Sequence, residues 1–158
     1  MDNLPRQPVV GSGGGAEPVA AGDDVLDPRT RPVLIVDDAP LIVEIVRAVL
    51  EQIGFLDIDE ARDGRAALVT LRSRAYGLVI SDWNMEPMGG FELLRRIRAD
   101  QALSDTPFVM MTTAEHAHHF TLAGRAGVSA CLVKPFSPTT LKDTIAAVCA
   151  DDRAPASH

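Results

Sequence analysis

The sequence predicts an α/β protein, a doubly wound parallel sheet of five strands and five helices. Three observations carry that prediction. Four short apolar runs, at 33–36, 78–80, 108–111 and 130–133, and a mixed segment at 56–61 are spaced along the chain, and the four runs have a length that suits a strand buried on both faces. Between them lie segments whose apolar residues recur at intervals of three and four, the helical period. Gly, Pro and Asp mark the junctions, and strands alternating with helices in this way build a parallel sheet through crossover connections.

The folded domain is expected over residues 32–150. Its first strand is Val33-Leu34-Ile35-Val36, ending on the acid pair Asp37-Asp38. Pro40 suits the first turn of the next helix, where no N–H is needed. Ile42, Ile45, Val46, Val49, Leu50 and Ile53 continue that helix until Gly54 stops it. A second strand is expected over 56–61, and Asp63-Gly64 turns the chain into a helix running to Arg74. The third strand is Leu78–Asp82, followed by the Pro/Gly-rich turn Glu86-Pro87-Met88-Gly89-Gly90 and a helix over 90–99. Thr106-Pro107 opens the fourth strand, Phe108-Val109-Met110-Met111, which ends in Thr112-Thr113. A fourth helix over 115–125 carries Gly124, which weakens a helix by about 1 kcal/mol relative to Ala. The fifth strand, 129–133, ends at Lys134-Pro135. Ser137 caps and Pro138 begins the last helix, which carries Leu141, Ile145 and Val148.

Residues 1–31 read as a flexible tail. Gly11, Gly13-Gly14-Gly15 and several prolines interrupt them, and without an apolar period they cannot offset their ordering entropy. Residues 151–158 read as a short C-terminal tail. A length of 158 residues suits one domain with a sizeable core, and aromatics at 4% leave Val, Ile, Leu and Ala to build it. The net charge of −7 argues against a nucleic-acid partner and against an anionic membrane surface. No apolar run reaches the length of a membrane span, and the N-terminus lacks the pattern of a signal peptide, so a cytoplasmic protein is expected. Cys131 and Cys149 have no metal-type spacing and read as two buried thiols.

Four of the five strands end in a residue useful to phosphate chemistry: Asp37 and Asp38, Asp82, Thr113, and Lys134. In a parallel sheet those ends share one edge, where such sheets hold their ligands. Three carboxylates close together repel unless a cation neutralises them. Mg²⁺ fits, because it takes carboxylate oxygens, a backbone carbonyl and a phosphoryl oxygen. The Asp82 carboxylate is a nucleophile suited to phosphorus, with Lys134 as a point charge and Thr113 as a hydroxyl donor. Separately, each has a plainer role: Asp37-Asp38 and Thr113 as caps, Lys134 as a solvated strand end. Their coincidence on one edge favours the chemical role. Only Lys134 and Lys142 are lysines among the fifteen Lys and Arg residues.

With these motifs in this order, residues 32–150 resemble the response-regulator receiver domains of two-component signalling. Asp82-Trp83-Asn84-Met85 is similar to the stand-alone chemotaxis type. The resemblance implies a flavodoxin-like (βα)5 fold with strand order 2-1-3-4-5. It implies that Asp82 accepts the phosphoryl group, that Asp38, Asp82 and the Asn84 carbonyl hold Mg²⁺, and that Asp37 acts largely through water. Thr113 becomes the switch hydroxyl and Lys134 the cation for the phosphoryl group, with a cis bond before Pro135. Asn84 and Glu115 fall at the two positions that govern access of hydrolytic water. The chain departs from the family at two places. Glu86 stands four residues beyond the acceptor, where the family usually has Pro, and Pro87 follows it. Cys131 stands where many receivers carry an aromatic switch residue. It is read as inert.

His116, His118 and His119 crowd the start of the fourth helix. Only His116 and His119 have helical spacing, so a metal site is disfavoured and a solvated face is expected. Arg95, Arg96 and Arg98 likewise read as an exposed helix face. The function expected is that of a single-domain response regulator, a monomer or weak dimer. It takes phosphate from a histidine kinase and binds a protein target on its strand-4/helix-4/helix-5 face. A phosphate shuttle or sink is the variant without an output surface. An aspartyl-nucleophile phosphatase of the haloacid dehalogenase type is the rival, but it needs a second Asp where this chain has Asn84. About eight residues follow the last helix, so a DNA-binding output is not expected.

Overall fold

The computed structural model of the chain describes residues 28–116 and 118–153. Five strands form one sheet: β1 (Val33–Val36), β2 (Ile58–Ala61), β3 (Leu78–Asp82), β4 (Phe108–Thr113) and β5 (Ala130–Lys134). Every pairing is parallel and the order is β2-β1-β3-β4-β5, the flavodoxin-like arrangement expected. The helices are α1 (Pro40–Gln52), α2 (Gly64–Leu71), α3 (Gly90–Ala99), α4 (His118–Arg125) and α5 (Pro138–Arg153).

The three central strands β1, β3 and β4 are apolar at successive positions because both faces of the sheet are covered there, whereas the edge strand β2 carries Asp59 and Glu60. Side chains alternate across a strand. Leu34, Val36, Val79, Phe108 and Met110 therefore pack with α2 and α3 through Leu68, Leu71, Leu93, Leu94 and Ile97. Their neighbours Val33, Ile35, Leu78, Ile80, Val109 and Met111 pack with α1 and α5 through Val46, Leu50, Leu141 and Ile145. A one-residue slip of any strand would exchange these two sets, so the register is firmly specified.

The helix ends follow the sequence signals. Pro40 occupies the first turn of α1, and Gly54 follows its C-cap at φ 107°, a left-handed conformation that glycine adopts without strain. Asp63 caps α2 by accepting from Arg65 N at 2.7 Å and Ala66 N at 3.0 Å. Ser137 Oγ accepts from Thr140 N at 3.0 Å at the start of α5. Gly127, at φ 92°, closes α4.

Some boundaries differ from expectation. β2 begins at Ile58, because Phe55 takes the buried position after α1 while Leu56 is 93% exposed. α2 ends at Leu71 rather than Arg74, since Ser73 turns back through N and Oγ onto Thr70 O. Residues Ala114–His116 form a 3₁₀ turn, and α4 starts only at His118. Regular structure also extends past both ends of the expected 32–150 domain. Pro28–Thr30 make a 3₁₀ turn whose Arg29 Nη1 donates to Ile53 O at 3.1 Å, and α5 reaches Arg153. The remainder of the two expected tails lies outside the described residues. Among the described residues no helix is long and apolar enough to cross a membrane.

Candidate functional site

Parallel pairing sets the site. Val36 is level with Ser81, so the acids after β1 and at the end of β3 emerge side by side. Thr113 is level with Lys134, which brings the ends of β4 and β5 to the same edge. Oxygens of Asp37, Asp38 and Asp82 all lie within 4.8 Å of one another. Lys134 Nζ donates to Asp82 Oδ1 at 2.9 Å and to Asp37 Oδ2 at 3.4 Å. Asp37 is buried, Asp82 half-buried and Asp38 exposed. Asp37 is also held from its own loop, where Oδ1 accepts Ala39 N at 2.9 Å.

Three carboxylates face one ammonium, so the cluster carries an excess of two negative charges when all are ionised. Burial pushes the Asp37 carboxyl above the usual range. The Ala39 N–H opposes that shift, Asp82 adds to it and Lys134 works against it. Burial disfavours the charged form of Lys134, but its bond to Asp82 and the charges of Asp82 and Asp37 outweigh this and raise its pKa. A half-buried acid cluster, under-neutralised by its own lysine and open at Asp38, has the donor chemistry of a Mg²⁺ site: hard oxygens, a surplus of charge and a solvated side.

This surplus has a measurable consequence for stability. The folded state binds the Asp37 proton more tightly than the unfolded state, whose carboxyl has the ordinary value of 3.8. Folding therefore takes up protons between that pH and the raised folded value, and the Asp37 contribution falls as pH rises through that window. Asp37→Asn is expected to raise stability in metal-free buffer at neutral pH and to flatten that fall. Urea melts with chelator from pH 4 to 8 check it, and a less stable variant at neutral pH contradicts it.

Asn84 is exposed, two residues beyond Asp82, in a loop that contains a cis Glu86-Pro87 bond. The bond before Pro135 is also cis, as the resemblance implied. Glu115 is exposed in the 3₁₀ turn and lines a cleft of about 570 Å³ with Ile42, Ile45, Lys134 and Phe136. Cys131 and Cys149 are only half-buried, not the buried thiols expected. Burial still pushes the Cys131 thiol up, away from the reactive thiolate.

The histidine cluster corrects the expectation of a solvated face. His118 is exposed, but His119 is buried, with Nδ1 2.8 Å from Thr112 Oγ1. Its ring lies parallel to Trp83 with centroids 3.6 Å apart. Burial foremost, then His118 and His116, lowers its pKa. His116 Nδ1 lies 2.8 Å from Thr113 Oγ1. The sequence signal was the helical spacing of His116 and His119. The surface that buries His119 is Trp83, which is remote in sequence. Arg98 is likewise no free surface charge: it donates to Gly127 O, Ser104 O and Thr106 O, tying α3 to the loops before β4 and β5.

This combination of strand order and carboxyl-edge acids is that of a receiver domain. The chain belongs to the response regulator receiver domain family, matching it over residues 33–146. It is 40% identical over 117 residues to the chemotaxis protein CheY-3 of Vibrio cholerae, covering 74% of this chain and 90% of that one. It is 39% identical over 113 residues to the chemotaxis protein CheY of Pseudomonas aeruginosa, covering 72% and 91%. Among solved structures, the chemotaxis response regulator CheY4 of Vibrio cholerae superposes with a TM-score of 0.69 at 35% identity, over 75% of this chain and 98% of that one. The chain is thus a receiver domain of the CheY-like chemotaxis type.

Proposed function

We propose that this receiver accepts a phosphoryl group on Asp82 from a histidine kinase in the cytoplasm and uses it to switch the binding of a protein target. The observation that carries this is the hydrogen bond from Lys134 Nζ to Asp82 Oδ1 within the cluster of Asp37, Asp38 and Asp82. It fixes one oxygen of the acceptor and leaves the other for phosphorus. An Asp82 oxygen attacks phosphorus, the P–N bond of the phosphohistidine breaks, and the electron pair leaves with the imidazole, which takes a proton from water. Asp37, Asp38, Asp82 and the Asn84 carbonyl would hold Mg²⁺, which when bound supplies neutralising charge to the phosphoryl oxygens. Lys134 then pairs with a phosphoryl oxygen, and the Thr113 hydroxyl donates to another. The domain thereby catalyses its own phosphorylation and hydrolysis.

The proposed target surface is the β4/α4/α5 face; Phe120 of α4 stands 40% exposed, while Leu122, 39% exposed, lies on the other side of that helix beside Phe91 and Arg95 of α3. A phosphate sink would not need an exposed Phe120. Incubation with a small acyl phosphate should give a Mg²⁺-dependent mass gain of one phosphoryl group that hydroxylamine removes. No labelling by acyl phosphates or histidine kinases would sink this reading.

The acyl phosphate is expected to be short-lived, because Asn84 and Glu115 leave polar, open paths for water. Glu115→Leu should lengthen its half-life several-fold by placing an apolar side chain in the cleft beside Lys134. A wild-type half-life of many hours with Mg²⁺ would contradict the assignment.

A further inference from the structure

Two of the three histidines near the start of α4 are built into the surroundings of the acceptor without belonging to it. Phe91 stacks on Trp83 with centroids 5.1 Å apart and planes 18° apart. Trp83 stacks on His119 at 3.6 Å and 4°. His119 stacks on His116 at 4.7 Å and 7°. A chain of stacked rings therefore runs from the first turn of α3, past the residue after Asp82, to the imidazole bonded to Thr113 Oγ1. It joins two strand ends and α4, and the half-buried thiol of Cys131 has no ring with which to do the same.

A threonine hydroxyl has one proton to donate. With the imidazole proton on Nε2, His116 Nδ1 accepts the Thr113 hydroxyl, and the 2.8 Å separation is that of a good hydrogen bond. A phosphoryl oxygen on Asp82 needs the same proton. The two acceptors compete, so activation must break the Thr113–His116 bond. His116 sits in a 3₁₀ turn of only three residues, and Thr113 ties it to β4. Once released, its ring is free to leave His119, and the turn before α4 loses that tie.

We propose that His116 is a positioning residue that holds the Thr113 hydroxyl in the unphosphorylated state, and that its release, passed through the stack on His119, is how phosphorylation reaches α4 in this chain. This rests on the reading of Asp82 as acceptor and Thr113 as switch. The test titrates the full chain with beryllofluoride and Mg²⁺ by calorimetry, and follows hydrogen exchange over residues 114–125. His116→Phe keeps a ring for the stack and removes the acceptor. It should bind the analogue about twofold to tenfold more tightly, the range for one neutral hydrogen bond no longer broken, and its α4 should show little further change on binding. His116→Asn places Oδ1 near where Nδ1 stood, so it should return the affinity to within about twofold of wild type. Wild-type affinity and exchange response in His116→Phe overturn the proposal. So does an equal shift in both variants, which marks a general loosening of the turn. If the wild-type chain does not bind the analogue, the acceptor reading fails and the proposal falls with it. Normal wild-type binding, with both variants keeping wild-type affinity and exchange response, removes the His116 role alone.

Discussion

Asp82→Asn is expected to abolish acyl-phosphate formation while leaving the domain at least as stable as the wild type in metal-free buffer. The first half follows from chemistry. An amide oxygen is a poor nucleophile toward phosphorus, and loss of the attacking group at such a site lowers the rate on the order of a thousandfold or more. The second half follows from charge. Asp82 is one of three carboxylates whose oxygens crowd within 4.8 Å, and the substitution removes one of them while Lys134 retains Asp37 at 3.4 Å. Repulsion falls faster than attraction. The pairing of these outcomes matters, because a lost label in an unfolded variant would prove nothing. The measurement is intact-mass labelling alongside urea melts. Mg²⁺-dependent labelling that persists at another residue would overturn the assignment.

The strand ends were legible in sequence because burial on both faces leaves little room for polar residues within a strand. An acid or lysine that ends such a run must lie near the sheet edge, and parallel topology then gathers Asp37, Asp82, Thr113 and Lys134 without any knowledge of the loops. Ser137, Asp63 and Gly54 were legible for a different reason, since caps and left-handed glycines act within a few residues. What could not be read was decided by contacts distant in sequence. His119 resembles His118 in its local sequence, yet the first is buried against Trp83 and the second is exposed. β2 starts later than the apolar Leu56 suggests, because only the pairing of Val33 with Ile58 defines where the strand begins. Cys131 lies on β5, an edge strand, where one flank lacks a neighbouring strand and burial stays partial.

Gly90→Ala should be among the most damaging single-atom additions to this domain, and it should act on the acceptor directly. A Cβ there would stand 2.1 Å from the Asp82 carbonyl oxygen and 3.0 Å from both Asp82 C and Met110 Sδ. The first turn of α3 rests on the backbone of Asp82, the proposed acceptor, pinned by Gly90 N donating to Trp83 O at 2.9 Å. Backbone atoms have no rotamer to change, and Leu93, Leu94 and Ile97 hold α3 in the core. The clash is relieved only by pushing Asp82 aside or lifting the helix. Overpacking costs about 1–3 kcal/mol, and the upper end is expected here. A displaced acceptor should also lose activity, since a misplacement of about 1 Å can cost on the order of a hundredfold in rate. Gly124→Ala is the matched control: its Cβ meets nothing within 4 Å and it lies in the last turn of α4, so it should stabilise by up to about 1 kcal/mol and leave labelling intact. Urea midpoints and initial labelling rates of the two variants read both effects. If Gly90→Ala stays within about 0.5 kcal/mol of wild type and labels normally, α3 is free to move off the acceptor strand, and the close support of Asp82 by that helix is not what positions it.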